Sequence, residues 1–296
     1  MPGHITGLFK IVDSDKDPLR RGSMGGGFSV EIGTLTEVEV KSAREESCMV
    51  TYNGTEIGAP VTKMVVKDLL HSYKSKPLRV SVKHISGLTI GAGFGASGAG
   101  ALGTAIALGR LVDDSMSLER AGQFAHSAEV RNHTGLGDVI AQTVGGVEVR
   151  TKPGAPGIGE ARPIESPEEL TVILAGASGI WTKDVLVDPV KRAHINEVGE
   201  HAVRDLLRNP SFENLIESSK AFSTSAGLMT QRVQHATSWL HREGLARSSM
   251  VMLGDSVFCF CSEAEIPAAE KILGTLWPQE SVARTAVSKL GGRPVE

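Results

Sequence analysis

The sequence predicts an α+β fold in two parts that meet near residues 155–165. Three features carry that reading. The first third alternates apolar and polar residues as half-buried strands do, Gly27–Lys41 (GFSVEIGTLTEVEVK) most fully. Helical segments rich in Ala and Leu then follow one another with no strand signal between them. Finally, Pro153–Gly159 (PGAPGIG) is a run of turn formers, after which strand and helix signals begin again. A length of 296 residues suits one large or two medium domains.

Taken in order, Cys48–Tyr52 and Thr55–Ile57 flank Asn53-Gly54, a pair that favours a type I′ hairpin because both residues tolerate positive φ. Pro60–Tyr73 carries Val61, Met64, Val65, Leu69 and Leu70 at helical spacing. Leu78–Ile85 reads as a strand, Ser86–Ala96 as a Gly-rich loop and Ser97–Val112 as a helix. Asp114-Ser115 is expected to cap a further helix over Ser117–Arg131. Gly135–Val144 reads as a Gly-rich turn with a short helix, and Gly145–Arg150 as the end of a strand. In the second half a buried strand is expected at Leu170–Ala175, with several helices between Val185 and His241. Short strands near Ser249–Leu253 and Ser256–Cys261, a helix near Glu265–Leu276 and a strand near Val282–Val287 complete it.

Composition excludes several functions. Apolar residues make up 41% and charged residues 22%, which is ordinary for a globular chain. With 31 basic against 34 acidic residues there is no cationic excess for nucleic acid or an anionic membrane. Aromatics are few (8 Phe, 3 Trp, 2 Tyr), against base-stacking platforms. Three cysteines make neither a disulfide framework nor a four-ligand zinc site, and Cys259 and Cys261 suit one buried face of a strand. Ile85–Gly109 is uncharged and long enough to span a bilayer, but eight of its residues are Gly, so a loop and a buried helix explain it better. Met1-Pro2-Gly3-His4 has neither a basic nor an apolar leader segment, and a cytoplasmic enzyme is expected.

Gly91-Ala92-Gly93-Phe94-Gly95-Ala96-Ser97-Gly98 is the most informative segment. Glycine at every second position lets backbone N–H groups converge on an anion, and the helix that follows adds its own free N–H groups and dipole. A phosphate is the expected guest. This is not a Walker A loop, because Gly98-Ala99 stands where Lys-Ser/Thr is required. Gly91, Gly93 and Ala96 satisfy the dinucleotide pattern, with Asp113 about 20 residues on, but one helix leads straight into another where a second parallel strand would have to lie.

The loop resembles that of the GHMP small-molecule kinases, and other motifs agree. Pro2-Gly3-His4-Ile5-Thr6-Gly7 matches the family's first motif, with His4 in place of its Lys or Arg. His126-Ser127-Ala128-Glu129 and Thr134-Gly135-Leu136-Gly137-Asp138 match the segment that carries its metal-binding Glu and catalytic Asp. Ala96 replaces the first loop Ser, and the third motif is reduced to Met252-Leu253-Gly254-Asp255-Ser256. Blocks at residues 2–7, 22–29, 91–98, 128–139 and 153–157 are similar, more narrowly, to the archaeal pantoate kinases.

The resemblance implies a ribosomal-protein-S5-like domain over residues 1–160 and a ferredoxin-like domain over residues 161–296. It implies ATP and Mg²⁺, pantoate as the alcohol, and a homodimer. Residues 91–98 would cradle ATP. Ser97 and Glu129 would hold the metal, since hydroxyl and carboxylate oxygens suit Mg²⁺; the alternatives are an N-cap and a solvated helix-end acid. Asp138 would orient or deprotonate the attacking hydroxyl, its alternative again being an N-cap. Arg150 suits a substrate carboxylate, or is a surface residue at a strand end. Ser23 either bonds substrate or stabilises its turn, Thr182 is a weaker substrate candidate, and His126 contacts the acid by resemblance alone. A zinc set of His126, Glu129 and His133 lacks a completing ligand. Rival readings are a kinase of another alcohol, of mevalonate or homoserine type, and a non-catalytic ATP-binding sensor.

Overall fold

The structure is a computed structural model that describes residues 1–179 and 182–295. The first part holds β1 (Pro2–Val12), β2 (Gly22–Ser42), β3 (Ser47–Tyr52), β4 (Thr55–Glu56), α1 (Pro60–Ser72) and β5 (Leu78–Ser86). It continues with α2 (Ala96–Val112), α3 (Leu118–Asn132), α4 (Asp138–Val144), β6 (Val147–Lys152) and β7 (Glu160–Ile164). These strands make one sheet in the order β4-β3-β5-β2-β6-β7, with β1 antiparallel to the start of β2. The second part holds β8 (Thr171–Ala177), α5 (Thr182–Leu186), α6 (Pro189–Arg208), α7 (Phe212–Ser225) and α8 (Gln231–Arg242). After them come β9 (Ser248–Met250), β10 (Asp255–Cys261), α9 (Ile266–Leu276) and β11 (Val282–Ala286). This sheet is antiparallel in the order β11-β8-β10-β9 with helices in both crossovers, the ferredoxin-like pattern.

Local signals account for most of these elements. Asn53 (φ 49°) and Gly54 (φ 83°) make the expected tight turn between β3 and β4. The cap of α3 differs from expectation: Ser117 accepts the Arg120 N–H, while Asp113 takes the Ser115 N–H in the preceding turn. Two strands escape the alternation pattern. β1 is buried on both faces, so it shows no alternation, and β7 is a short edge strand containing Pro163. The first sheet therefore runs past residue 160, to Ile164.

Two apolar cores lie within. The smaller packs α1, α2 and α3 on β3 and β5 through residues such as Leu69, Val82, Leu102 and Phe124. The larger joins the two parts. Phe28 of β2 meets Phe258 and Phe260 of β10, with ring centroids 5.1 and 4.7 Å apart, and Phe212 of α7 meets Phe260 at 4.9 Å. On β1, Phe9 lies edge-on to Phe222 at 5.6 Å. The strands thus fall into two sheets, the first ending at Ile164 rather than at residue 160, but the core is shared between them. Cys259 and Cys261 share a buried face of β10 with sulfurs 3.5 Å apart. Among the described residues no helix is long and apolar enough to cross a membrane; the uncharged stretch is the Gly-rich loop followed by a largely buried α2.

Candidate active site

A cavity of about 460 Å³ lies between the Gly-rich loop, the start of α2, the end of α3, the turn before α4, helix α5 and the β9–β10 turn. Gly91, Gly93 and Gly95 have φ of 79°, 80° and 68°, a backbone that other residues adopt only with strain. The β9–β10 turn clamps this loop. A Cβ on Gly93 would lie 2.8 Å from the Met252 carbonyl, and one on Gly254 would lie 2.1 Å from the Ala92 carbonyl. The reduced third motif is therefore the loop's packing partner. α2 starts on Gly95 with no side-chain cap, so its first N–H groups are free for an anion. Of the predicted loop residues, all but Ala92 line the cavity.

Ser97 lies inside α2 and is not its N-cap; its hydroxyl donates to Glu129 Oε1 at 2.5 Å. Glu129, near the end of α3, is buried rather than solvated. Burial pushes its carboxyl up to about 7, against the Ser97 hydrogen bond and with help from the Asp138 charge. Gly135 sits between the two acids: a Cβ there would lie 2.4 Å from Glu129 Oε2 and 3.1 Å from Asp138 Oδ2. Asp138 opens α4, whose N-cap is Gly137, and it spends Oδ1 on His4 Nδ1 at 2.8 Å.

His4, on β1, is fully buried, and its Nε2 lies 3.3 Å from Glu148 Oε1 on β6. Burial opposes a charge on His4, but Glu148 and Asp138 outweigh it and raise its titration above the usual range. Arg150 is buried, not a surface residue; Nη1 donates to Glu148 Oε1, while Nε and Nη2 have no partner. Nε lies behind Gly137, whereas Nη2 faces Gly25 of β2, where a Cβ would be 3.1 Å from it. A Cβ on Gly137 would be 2.5 Å from Ser23 Oγ and 2.8 Å from Arg150 Nε. Ser23 lines the cavity, and its own N–H is held by the Leu136 carbonyl at 3.0 Å.

The structure thus brings together Ser97, Glu129, Asp138, Ser23 and, one layer back, Arg150. It does not bring His126 to the cavity. His126 is buried under the first turn of the chain, with Nε2 donating to the Arg21 carbonyl at 2.8 Å. Thr182 begins α5, and its side chain lies outside what is described. Sequence reasoning missed Glu148 and Lys183. The signal for Glu148 was available: Glu148-Val149-Arg150 on a strand puts acid and base on one face. Lys183 is the one Lys or Arg among the described residues lining the cavity. The far end is walled by Tyr52, Ile57, Val61 and Ile90, with the Tyr52 hydroxyl donating to the Leu88 carbonyl at 2.6 Å.

Residues 61–146 match the family of GHMP kinases by its N terminal domain. The chain is 33% identical over 285 residues to the pantoate kinase of Thermococcus kodakarensis, covering 93% of this chain and 91% of that protein. To the pantoate kinase of Methanocaldococcus jannaschii it is 30% identical over 275 residues, covering 92% and 95%. A solved phosphotransferase related to the CoA biosynthesis pathway superposes with a TM-score of 0.86 at 31% identity, covering 98% of this chain and 95% of that one. The homoserine kinase of Cytophaga hutchinsonii shares the fold, with a TM-score of 0.67 at 14% identity and coverage of 98% and 94%.

Proposed function

The chain belongs to the GHMP kinase family, and we propose that it transfers the γ-phosphoryl group of ATP to the C4 hydroxyl of (R)-pantoate, giving 4-phosphopantoate for coenzyme A biosynthesis. The observation that carries an acid substrate is Arg150: a buried guanidinium with two unpaired nitrogens, beside the Ser23 hydroxyl and against Gly137, the residue before Asp138. An unpaired buried donor is costly, and a carboxylate is its natural bidentate partner. The relatives named pantoate kinase support the choice among hydroxy acids.

The donors near the loop fit Mg²⁺. Ser97 and Glu129 offer two hard oxygens and leave further positions for phosphate and water, as Mg²⁺ prefers. A zinc set of His126, Glu129 and His133 is not assembled: His126 Nε2 is taken by the Arg21 carbonyl, while Glu129 Oε1 takes the Ser97 hydroxyl. Mg²⁺ held there supplies positive charge to the phosphates. Residues 91–98 and the start of α2 hold those phosphates, and the apolar far end takes the base. Asp138 accepts the proton of the attacking hydroxyl, while Arg150 and Ser23 fix the carboxylate at the opposite end of the acid. In this division of labour residues 1–160 carry the chemistry, and residues 161–296 bring Lys183 to the cavity. The reading includes a cytoplasmic homodimer, checked by light scattering.

The test is ADP release with Mg-ATP, with and without D-pantoate, for wild type and Asp138→Ala. Pantoate-dependent release should fall about 10²- to 10⁴-fold in the variant. Release only with mevalonate or homoserine would overturn the substrate. ATP binding with no transfer to any alcohol would favour the sensor.

A further inference from the structure

Asp138, His4, Glu148 and Arg150 form an unbroken chain of polar contacts behind the cavity wall. His4, Glu148 and Arg150 are buried, and only Asp138 reaches the cavity. Burying so many ionisable groups stabilises a fold less than apolar packing of the same shape does. The charges are also linked. Two carboxylates face one guanidinium, so the set is neutral only when His4 carries a proton, and its neighbours favour that proton. Glu148 Oε1 is shared: Arg150 Nη1 donates to it, and His4 Nε2 lies 3.3 Å away. Arg150 Nε lies directly behind Gly137, a residue of the cavity wall with no side chain, and beside Ser23 Oγ, so a carboxylate that enters at Gly137 and Ser23 competes for the guanidinium charge. Glu148 Oε1 is then left to His4, whose other nitrogen holds Asp138.

We infer that His4 and Glu148 are positioning residues that transmit the arrival of a substrate carboxylate at Arg150 to the base Asp138, so that the acid group is read in the chemical step as well as in binding. This rests on the pantoate reading above. The titratable groups facing His4 are Asp138 from α4 and Glu148 from β6, with Arg150 behind Glu148. β2 brings Gly27 and Ser29, and the Gly-rich loop Phe94 and Gly95, against it, none of them titratable.

The experiment measures kcat and KM at saturating Mg-ATP for wild type, Glu148→Gln and His4→Lys, with pantoate and with its neutral amide, over about pH 6–9. Thermal melts check folding. For Glu148→Gln, kcat on pantoate should fall about tenfold or more while KM stays within about threefold, a loss in the chemical step. The kcat advantage of pantoate over the amide should shrink in parallel. Glu148 raises the titration of His4, so its removal should move the alkaline limb of kcat to lower pH. An unchanged kcat and limb, or an effect confined to KM, would overturn the relay. If Glu148→Gln does not fold, His4→Lys decides. A residue that serves through its charge should keep kcat within about tenfold and lose the limb below pH 9, because Lys titrates higher. A packing role predicts a collapse of kcat at every pH. Absence of pantoate turnover by the wild type would overturn the substrate reading and remove the relay's trigger; turnover insensitive to both substitutions would overturn the relay alone.

Discussion

Glu129 is a carboxylate in a place that favours its neutral form, the reverse of what the cation-binding role proposed for it needs before a cation arrives. Burial lifts its carboxyl from 4.5 to about 7. A raised carboxyl means that the folded chain binds the proton more tightly than the unfolded one. The stability it contributes is full below about pH 4.5 and is lost as pH rises through about 7. In chelator, Glu129→Gln should therefore melt higher than wild type, by an advantage that grows from pH 5 to pH 8 and reaches roughly 2–3 kcal/mol. The same variant should lose about 10²-fold or more of its turnover with Mg-ATP. An advantage that is flat with pH would refute the assignment. At this scale the meeting of Ser97, Glu129 and Asp138 at one cavity was legible because short motifs carry them, and their roles remain proposals. The Glu148–His4–Asp138 contacts were not, because they join residues 144 and 134 positions apart. The structure spends His126 on the Arg21 carbonyl, a contact that no spacing rule reveals.

Among the elements, the Gly-rich loop and the β9–β10 turn act as one unit. Loop backbone at positive φ meets a turn that carries Leu253 at φ 62°, itself an uncommon conformation for a bulky residue. Gly93→Ala would meet both a strained φ and the Met252 carbonyl. It should weaken ATP binding about tenfold and lower stability by about 1–3 kcal/mol, measured by calorimetric titration and melting. Unchanged affinity would show that the loop's conformation is not what holds the phosphates. The hairpin at Asn53-Gly54, the helices over 60–73 and 97–112, and the strand at 78–85 were legible from turn chemistry and period. β1 was hidden because burial on both faces erases alternation. The cap of α3 was misread because both Asp113-Asp114-Ser115 and Ser117 carry capping residues, and only Ser117 has its oxygen on the helix N–H groups.

For the whole molecule, the strands form two sheets, whereas the larger core spans both. Phe28, Phe212, Phe258 and Phe260 come from both parts and pack edge to face, save the tilted Phe28–Phe260 pair. Phe260→Ala should cost about 3–5 kcal/mol and leave a single calorimetric transition. Two separated transitions would mean that the parts are energetically independent. This joint core could not be read in advance, because strand and helix periods say which face is apolar and not which partner covers it. Its consequence is mechanical. Parts joined through interlocked rings should resist swinging apart about a hinge, so the two are expected to move as one body. Whatever the cavity takes in should pass by small displacements at its rim, and what is compressed around it should be the rim, never the weld.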